Sequence, residues 1–250
     1  MKLAVLSAAF YKNESLFASV KDSCERLGLP LVTYGIGQKF PGFYQAKIVS
    51  LLDALRKVDA EHILFCDARD SVVLRDEDAI LKAYKRICKT TGGKIAFCAD
   101  RKSFPYPELS EAFTKIGKGR VASECNWKGK KTRRVFLNAG VFMAETEYLR
   151  KCLTRLMKMY DNESGRVEHP QDDQGWWSMA VARGLVEVAI DYKCELAAMT
   201  TYTPDEWYSL SDGKCAFRPT HTEPCVLHFA GLKDTNKRMP RFLEGMGFNG

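Results

Sequence analysis

The chain has 250 residues, 46% of them hydrophobic and 28% charged, with a formal net charge of +7. This length and apolar content suit one sizeable core, and the lack of any low-complexity tract excludes a disordered chain. No stretch approaches the ~20 apolar residues of a membrane span, while the basic excess suits a phosphate-bearing ligand, an acidic acceptor or a membrane surface.

In chain order, apolar runs of strand length alternate with segments of helical period. Residues 3–7 read as a first buried strand. The apolar opening is short for the core of a signal peptide and runs straight into Tyr11-Lys12-Asn13. Residues 15–27 read as a helix closed by Gly28, and 31–34 as a strand. Residues 44–58 are helical, with Ile48, Leu51, Leu52, Leu55 and Val58 on one face. Strand 62–66, helix 77–89 and strand 94–99 follow. This rhythm predicts an α/β fold with a mainly parallel, doubly wound sheet.

Residues 101–133, with several prolines and glycines, read as a long loop carrying short helices. The basic cluster at 128–134 reads as a solvated loop, because no nucleic-acid-binding motif accompanies it. A strand at 135–143 precedes a helix with Leu149, Cys152, Leu153, Leu156, Met157 and Tyr160 on one face. A helix from about Asp172 to Gly184, a strand at 186–190 and a strand at 226–229 complete the pattern. With no linker and no repeat, the chain reads as one domain over 1–250. Its core spans about 2–232 and a basic extension covers 233–250.

Nine cysteines are scattered without a C-x-x-C pair. Cys66, Cys98 and Cys152 lie in apolar runs, where a reduced thiol acts as a small hydrophobe. The pattern disfavours a disulfide framework or a zinc site and suits a reducing compartment.

The chemistry-bearing residues stand where strands end, the place where ligands bind in open α/β sheets. In Ile63-Leu64-Phe65-Cys66-Asp67-Ala68-Arg69-Asp70 an apolar run stops on one acid, with a second three residues on. Residues i and i+3 of a turn lie within about 7 Å, so both carboxylates can converge on a hard cation such as Mn²⁺ or Mg²⁺. The plain alternative is a hydrogen-bonded turn. A phosphatase-type acid pair would be spaced two apart, not three. His228 ends another apolar run, and imidazole also ligates Mn²⁺. Gln171-Asp172-Asp173-Gln174 opens a helix carrying Trp176 and Trp177. It reads either as a helix cap or as carboxylates beside aromatic rings that hold a sugar. Asn138-Ala139-Gly140 interrupts an apolar strand and reads as a bulge or as backbone close to a ligand. Lys47, in the first turn of its helix, suits a phosphate.

These pieces in this order resemble the glycosyltransferase domain of procollagen lysyl hydroxylases and procollagen galactosyltransferases. The resemblance rests on Gln45-Ala46-Lys47, Leu64-Phe65-Cys66-Asp67-Ala68-Arg69-Asp70, Phe136-Leu137-Asn138-Ala139-Gly140, Asp172-Asp173-Gln174 and His228-Phe229-Ala230-Gly231. It covers Leu3 to about Leu232. It implies a GT-A fold, a UDP-sugar donor and Mn²⁺, with Mg²⁺ as the alternative cation. By resemblance Asp67, Asp70 and His228 are the metal ligands, and Lys47 and Gly231 contact the diphosphate. Ser7, Ala8 and Ala9 form part of the uridine pocket. Asp172 and Asp173 face the donor sugar and acceptor, and Asn138 lies near the transferred sugar.

Two positions depart from the family pattern. Arg69 stands where the family has a tyrosine that stacks on uracil, though a guanidinium also stacks on a base. Phe229 and Ala230 replace the Gly-Asn of the family's closing motif. The expected function is metal-dependent transfer of a hexose from a UDP-sugar to a hydroxyl of a protein, glycan or small molecule. The expected setting is a cytoplasmic enzyme of microbial or viral origin, without nucleic-acid partner or transmembrane segment. The alternatives are a sugar-nucleotide or nucleotidyl transferase, disfavoured by the absence of glycine after the first strand, and a catalytically inactive nucleotide-sugar-binding module.

Overall fold

A computed structural model describes residues 1–117, 124–127, 129–211 and 213–248. Strand β1 (Leu3–Ala8) leads through helix α1 (Ala18–Arg26) to β2 (Leu31–Tyr34). A π turn over Gln45–Val49 runs into α2 (Ser50–Leu55), then β3 (His62–Cys66), β4 (Ser71–Val73), α3 (Glu77–Thr91) and β5 (Ile95–Asp100). Next come α4 (Ser110–Gly117), β6 (Glu124–Trp127), β7 (Lys130–Arg133), β8 (Phe136–Glu145), α5 (Thr146–Glu163) and α6 (Asp173–Ala182). The chain closes with β9 (Val188–Asp191), β10 (Ala197–Met199), β11 (Tyr208–Ser211), β12 (Lys214–Phe217), β13 (Val226–His228), a π turn at Asp234–Arg238 and α7 (Met239–Gly245).

The central sheet has six strands in the order β2-β1-β3-β8-β5-β9. All run parallel except β8, which is antiparallel to both neighbours. This is the mainly parallel α/β architecture that the strand–helix rhythm predicted. The central strands are buried on both faces, which is why they read as continuous apolar runs. Alternation along each strand sorts side chains between two cores. Ala4, Leu6, Ile63, Phe65, Phe97 and Phe142 pack toward α2, α5 and α6. Leu3, Val5, Leu64, Cys66, Ala96 and Met143 pack toward α1 and α3.

A second sheet, β10-β13-β4, stands apart from the first. The apolar residues after Asp70 therefore do not continue the first strand. They form β4, which pairs antiparallel with β13. A third core covers this sheet and includes Val72, Trp207, Phe217, Leu227, Phe229 and Phe242. The residues after Lys233, read as a basic extension, fold into two helical segments and bury Phe242 and Met246 in that core. Charge dominated the sequence reading there, while two well-spaced apolar residues decide the packing.

The segment read as a long loop contains α4 and the β6–β7 hairpin. Of the basic cluster, Lys128 lies outside the described residues, 130–133 forms β7, and Arg134 is buried. Cys24, Cys66, Cys88, Cys98, Cys152, Cys194, Cys215 and Cys225 are free. No described helix is long and apolar enough to cross a membrane.

Candidate active site

Three strand ends meet at one point. After β3 the chain turns sharply, and the Asp67 backbone N–H donates to the Gly140 carbonyl at 2.7 Å. At the other end of the turn, the Phe229 N–H donates to the Asp70 carbonyl at 2.7 Å. These bonds tie the turn to β8 on one side and to the end of β13 on the other. As a result, ligand atoms of Asp67, Asp70 and His228 lie within 4.8 Å of one another. His228 Nε2 is 3.7 Å from Asp67 Oδ2 and 3.5 Å from Asp70 Oδ1.

The imidazole is 2% exposed, and among the described residues neither of its nitrogens has a hydrogen-bond partner; nor has Asp70 Oδ1. Unsatisfied buried polar atoms cost about 1–3 kcal/mol each, so three in one cluster need an explanation. Two carboxylates and an imidazole are a donor set that could hold a divalent cation such as Mn²⁺ or Mg²⁺. Burial works to lower the His228 pKa, but the carboxylates of Asp70 and Asp67 outweigh it and hold it above the usual value. Burial pushes the Asp67 carboxyl up, against the pull of Lys47.

Room for the imidazole comes from β8. Its register against β5 jumps between Phe97, paired with Phe142, and Cys98, paired with Asn138. The interruption at Asn138-Ala139-Gly140 is thus a bulge. A β-carbon on Gly140 would lie 2.6 Å from His228 Nε2 and 2.8 Å from Asp67 Oδ2. The Asn138 side chain fixes the bulge: its Oδ1 accepts the Gly140 N–H at 3.0 Å, and its Nδ2 donates to Asp100 Oδ2 at 3.4 Å.

Lys47 comes from the π turn that opens the helix, a wide turn often found at functional sites. It is buried and bridges the acids. Its Nζ is 2.6 Å from Asp67 Oδ1 and 3.7 Å from Asp173 Oδ2. Burial works against the ammonium, but Asp173 and Asp67 hold its pKa above the usual value. Asp173 is the most perturbed carboxyl of the group. Burial pushes it up to about 7 despite Lys47, and its Oδ2 has no hydrogen bond among the described residues.

A cleft of about 450 Å³ opens over these groups. It is lined by Lys47, Asp67, Arg69, Asp70, Asn138, Asp173, His228 and Gly231, and by Ala8 of the first strand end. Gly231 adopts φ 93°, a conformation that suits glycine. The neighbours of Ala8 do not reach the cleft. Ser7 is fully buried with its hydroxyl on the Cys66 carbonyl at 2.6 Å, and Ala9 lies in the core. Arg69 donates from Nη2 to Asn236 Oδ1 at 3.2 Å.

The acid pair divides. Asp172 is the N-cap of α6, accepting the Gly175 N–H at 2.8 Å, and does not line the cleft. Only Asp173 does. Trp176 and Trp177 are also out of reach of a ligand. Both are fully buried, the first donating to the Pro170 carbonyl and the second packed on Phe97 and Phe142. Their reading as a sugar platform is therefore corrected. A helix whose buried residues run nearly all round presents its aromatics to the core.

Sequence reasoning missed Gln174 as a member of the site. Its Oε1 accepts the Ala139 N–H at 3.0 Å and its Nε2 donates to the Phe104 carbonyl at 3.0 Å, so one side chain pins the bulge to the cleft wall. Tyr11, Phe40 and Phe43 also line the cleft and were not singled out. The cluster of polar residues at 171–174 was the available signal for Gln174. The loop aromatics carried none.

Comparison with known proteins agrees with this architecture. The crystal structure of a glycosyltransferase involved in the glycosylation of the major capsid of PBCV-1 matches with a TM-score of 0.52. The match covers 96% of this chain and 100% of that one at 10% identity, and it places the chain in a glycosyltransferase fold. A197 from STIV matches with a TM-score of 0.41 at 10% identity, over 76% of this chain and 81% of that one. No curated protein matches. Residues 1–235 match the family described as the PLOD GT domain, and the chain belongs to that family.

Proposed function

We propose that the protein is a metal-dependent glycosyltransferase that moves a hexose from a UDP-sugar to a hydroxyl-bearing acceptor. The observation that carries this reading is the convergence of Asp67, Asp70 and His228 in the cleft, with Asp70 Oδ1 and both His228 ring nitrogens left without hydrogen-bond partners among the described residues. These three residues would hold Mn²⁺, or Mg²⁺ in its place. When bound, the cation supplies Lewis-acid neutralisation of the charge that builds on a departing diphosphate.

The chain's own groups do the rest. Lys47 adds a fixed positive charge beside the same position, where burial strengthens it. The Asp173 carboxylate faces the cleft with a pKa of about 7, so it exchanges protons near neutrality. In an inverting transfer it takes the proton of the acceptor hydroxyl; in a retaining one it orients the donor sugar. Asp172 acts through α6, fixing the turn that presents Asp173. Asn138 and Gln174 hold the bulge against which the sugar lies. The Arg69 guanidinium, braced by Asn236, offers a plane for the nucleobase.

The test is a calorimetric titration with UDP, with and without Mn²⁺, repeated on Asp70→Ala. The expected result is binding that requires Mn²⁺ and is lost in the variant. Metal-independent binding of UDP, or no binding at all, overturns the proposal. A panel of UDP-sugars scored for slow hydrolysis then names the donor.

A further inference from the structure

A second cavity, of about 540 Å³, lies at the far end of the small sheet. β4 and β13 are antiparallel neighbours. At one end of this pair stand Asp70 and His228, in the cleft. Just past the other end stand Arg75 and Cys225, in the second cavity. No residue lines both.

The wall is strongly basic. Arg75, Lys82, Arg86 and Lys193 bring four cations against two carboxylates, Glu195 and Glu223. Both carboxylates are already engaged, Glu223 by Arg75 and Glu195 by Nε of Arg86. Glu195 is mostly buried and is anchored in turn, since its backbone N–H donates to Asp191 Oδ1 at 2.9 Å. It therefore fixes the Arg86 guanidinium through Nε, and neither terminal amino group has a partner among the described residues. Lys82 and Lys193 have no acidic partner among the described residues.

The loop facing α3 is built to hold its shape. The hydroxyls of Thr220 and Thr222 both donate to the Lys193 carbonyl, at 2.7 and 2.8 Å. His221, between them, is held at φ 55°, a left-handed conformation costly for a residue with a side chain. Residues held in such conformations concentrate at ligand sites. Like charges gathered on one concave wall repel one another, and an anion placed among them relieves that repulsion. Guanidinium amino groups and ammonium groups together are the usual partners of tetrahedral oxyanions.

We infer that this cavity binds a phosphate- or sulfate-type oxyanion at a site separate from the catalytic cleft. The anion is seated by Lys82, Arg86 and Lys193. It comes either from free inorganic phosphate or from a phosphate ester carried on a sugar.

The experiment is calorimetric titration of the full chain with inorganic pyrophosphate in EDTA. Lys82→Glu/Lys193→Glu is the test variant. Lys85→Glu/Lys89→Glu, on exposed positions of α3 that do not line the cavity, is the charge-matched control. Lys47→Ala removes the lysine of the cleft. The expected result is about a tenfold or greater loss of affinity in the test variant, with the control and Lys47→Ala close to the parent. UDP binding in Mn²⁺ stays intact in the test variant, which separates this inference from the proposed function. No binding to the parent, equal losses in test and control, or a loss confined to Lys47→Ala overturns it. A parallel titration with glucose 1-phosphate and inorganic phosphate identifies the source. Tighter binding of either supports the site and names the ligand as sugar-borne or free.

Discussion

Gly140 and His228 occupy the same corner of the cleft so tightly that only hydrogen fits on the Gly140 α-carbon. A β-carbon there would meet Nε2 at 2.6 Å, with Cε1 closer still. Glycine at this position is therefore a steric condition for the imidazole to face Asp67 and Asp70.

Gly140→Ala is expected to displace His228 and lower Mn²⁺ affinity by on the order of 100-fold, as when the supports of a metal ligand are lost. The far-ultraviolet circular dichroism should persist, because the bulge is held by Asn138 and Gln174 rather than by Gly140 itself. Calorimetric titration with Mn²⁺ checks this. Parent-like affinity would show that His228 does not depend on this corner.

Asp173 makes stability depend on pH. Its folded pKa of about 7 lies above the unfolded value near 3.8, so the folded state holds the proton more tightly. The stability it contributes is complete below pH 3.8 and is lost as pH rises through about 7. Asp173→Asn should match the parent near pH 4 and exceed it at pH 8 by roughly 1–4 kcal/mol, at about 1.4 kcal/mol per pKa unit. The same variant should be inactive in transfer. Urea denaturation in EDTA at the two pH values measures the first effect, and equal gains at both would refute the titration.

Arg69 tests how the nucleobase is held. Stacking on a base is worth roughly 1–3 kcal/mol. Arg69→Ala should therefore weaken UDP binding about tenfold in Mn²⁺, and Arg69→Tyr, which restores the family pattern, should recover it. Asn236→Ala should fall between, since it releases the guanidinium without removing it. Unchanged UDP affinity in Arg69→Ala would assign the base to another wall of the cleft.

The core under the site predicts a stability effect. Phe142 stacks on Phe65 with centroids 4.9 Å apart and touches Phe97 and Trp177. Phe142→Ala is expected to cost about 3–5 kcal/mol, as other large-to-small changes in aromatic cores do. A urea melt of the variant reads the loss as a lower midpoint with the slope unchanged. A loss under 1 kcal/mol would mean that the neighbours collapse into the space.

The inner strands of the central sheet were legible because they are buried on both faces, while the edge strand β2 is only half-buried. An apolar run such as Ile63-Leu64-Phe65-Cys66 can hardly be anything else beside helices of matching length. The bulge at Asn138-Ala139-Gly140 was legible for the opposite reason, since polar and glycine residues break an apolar run only where the backbone departs from the ladder. Less legible was β4, because three apolar residues after a turn carry too little periodicity to show that they leave one sheet for another. The Trp176-Trp177 pair misled because aromatic side chains serve a core and a sugar platform equally well.

The sequence by itself determined the strand–helix alternation, the strand ends that stop on Asp67 and His228, and the resemblance that orders the motifs. These follow from local burial and from residue types read along the chain. Tertiary structure alone decided which polar residues share a cleft. Asp70 and His228 meet because β4 and β13 pair across distant parts of the chain. Asp173 enters the cleft while Asp172 caps α6, because neighbours on a helix's first turn point in different directions. Pairing between distant strands and the rotation of a helix about its axis are set by the whole packed core, and no local pattern records them.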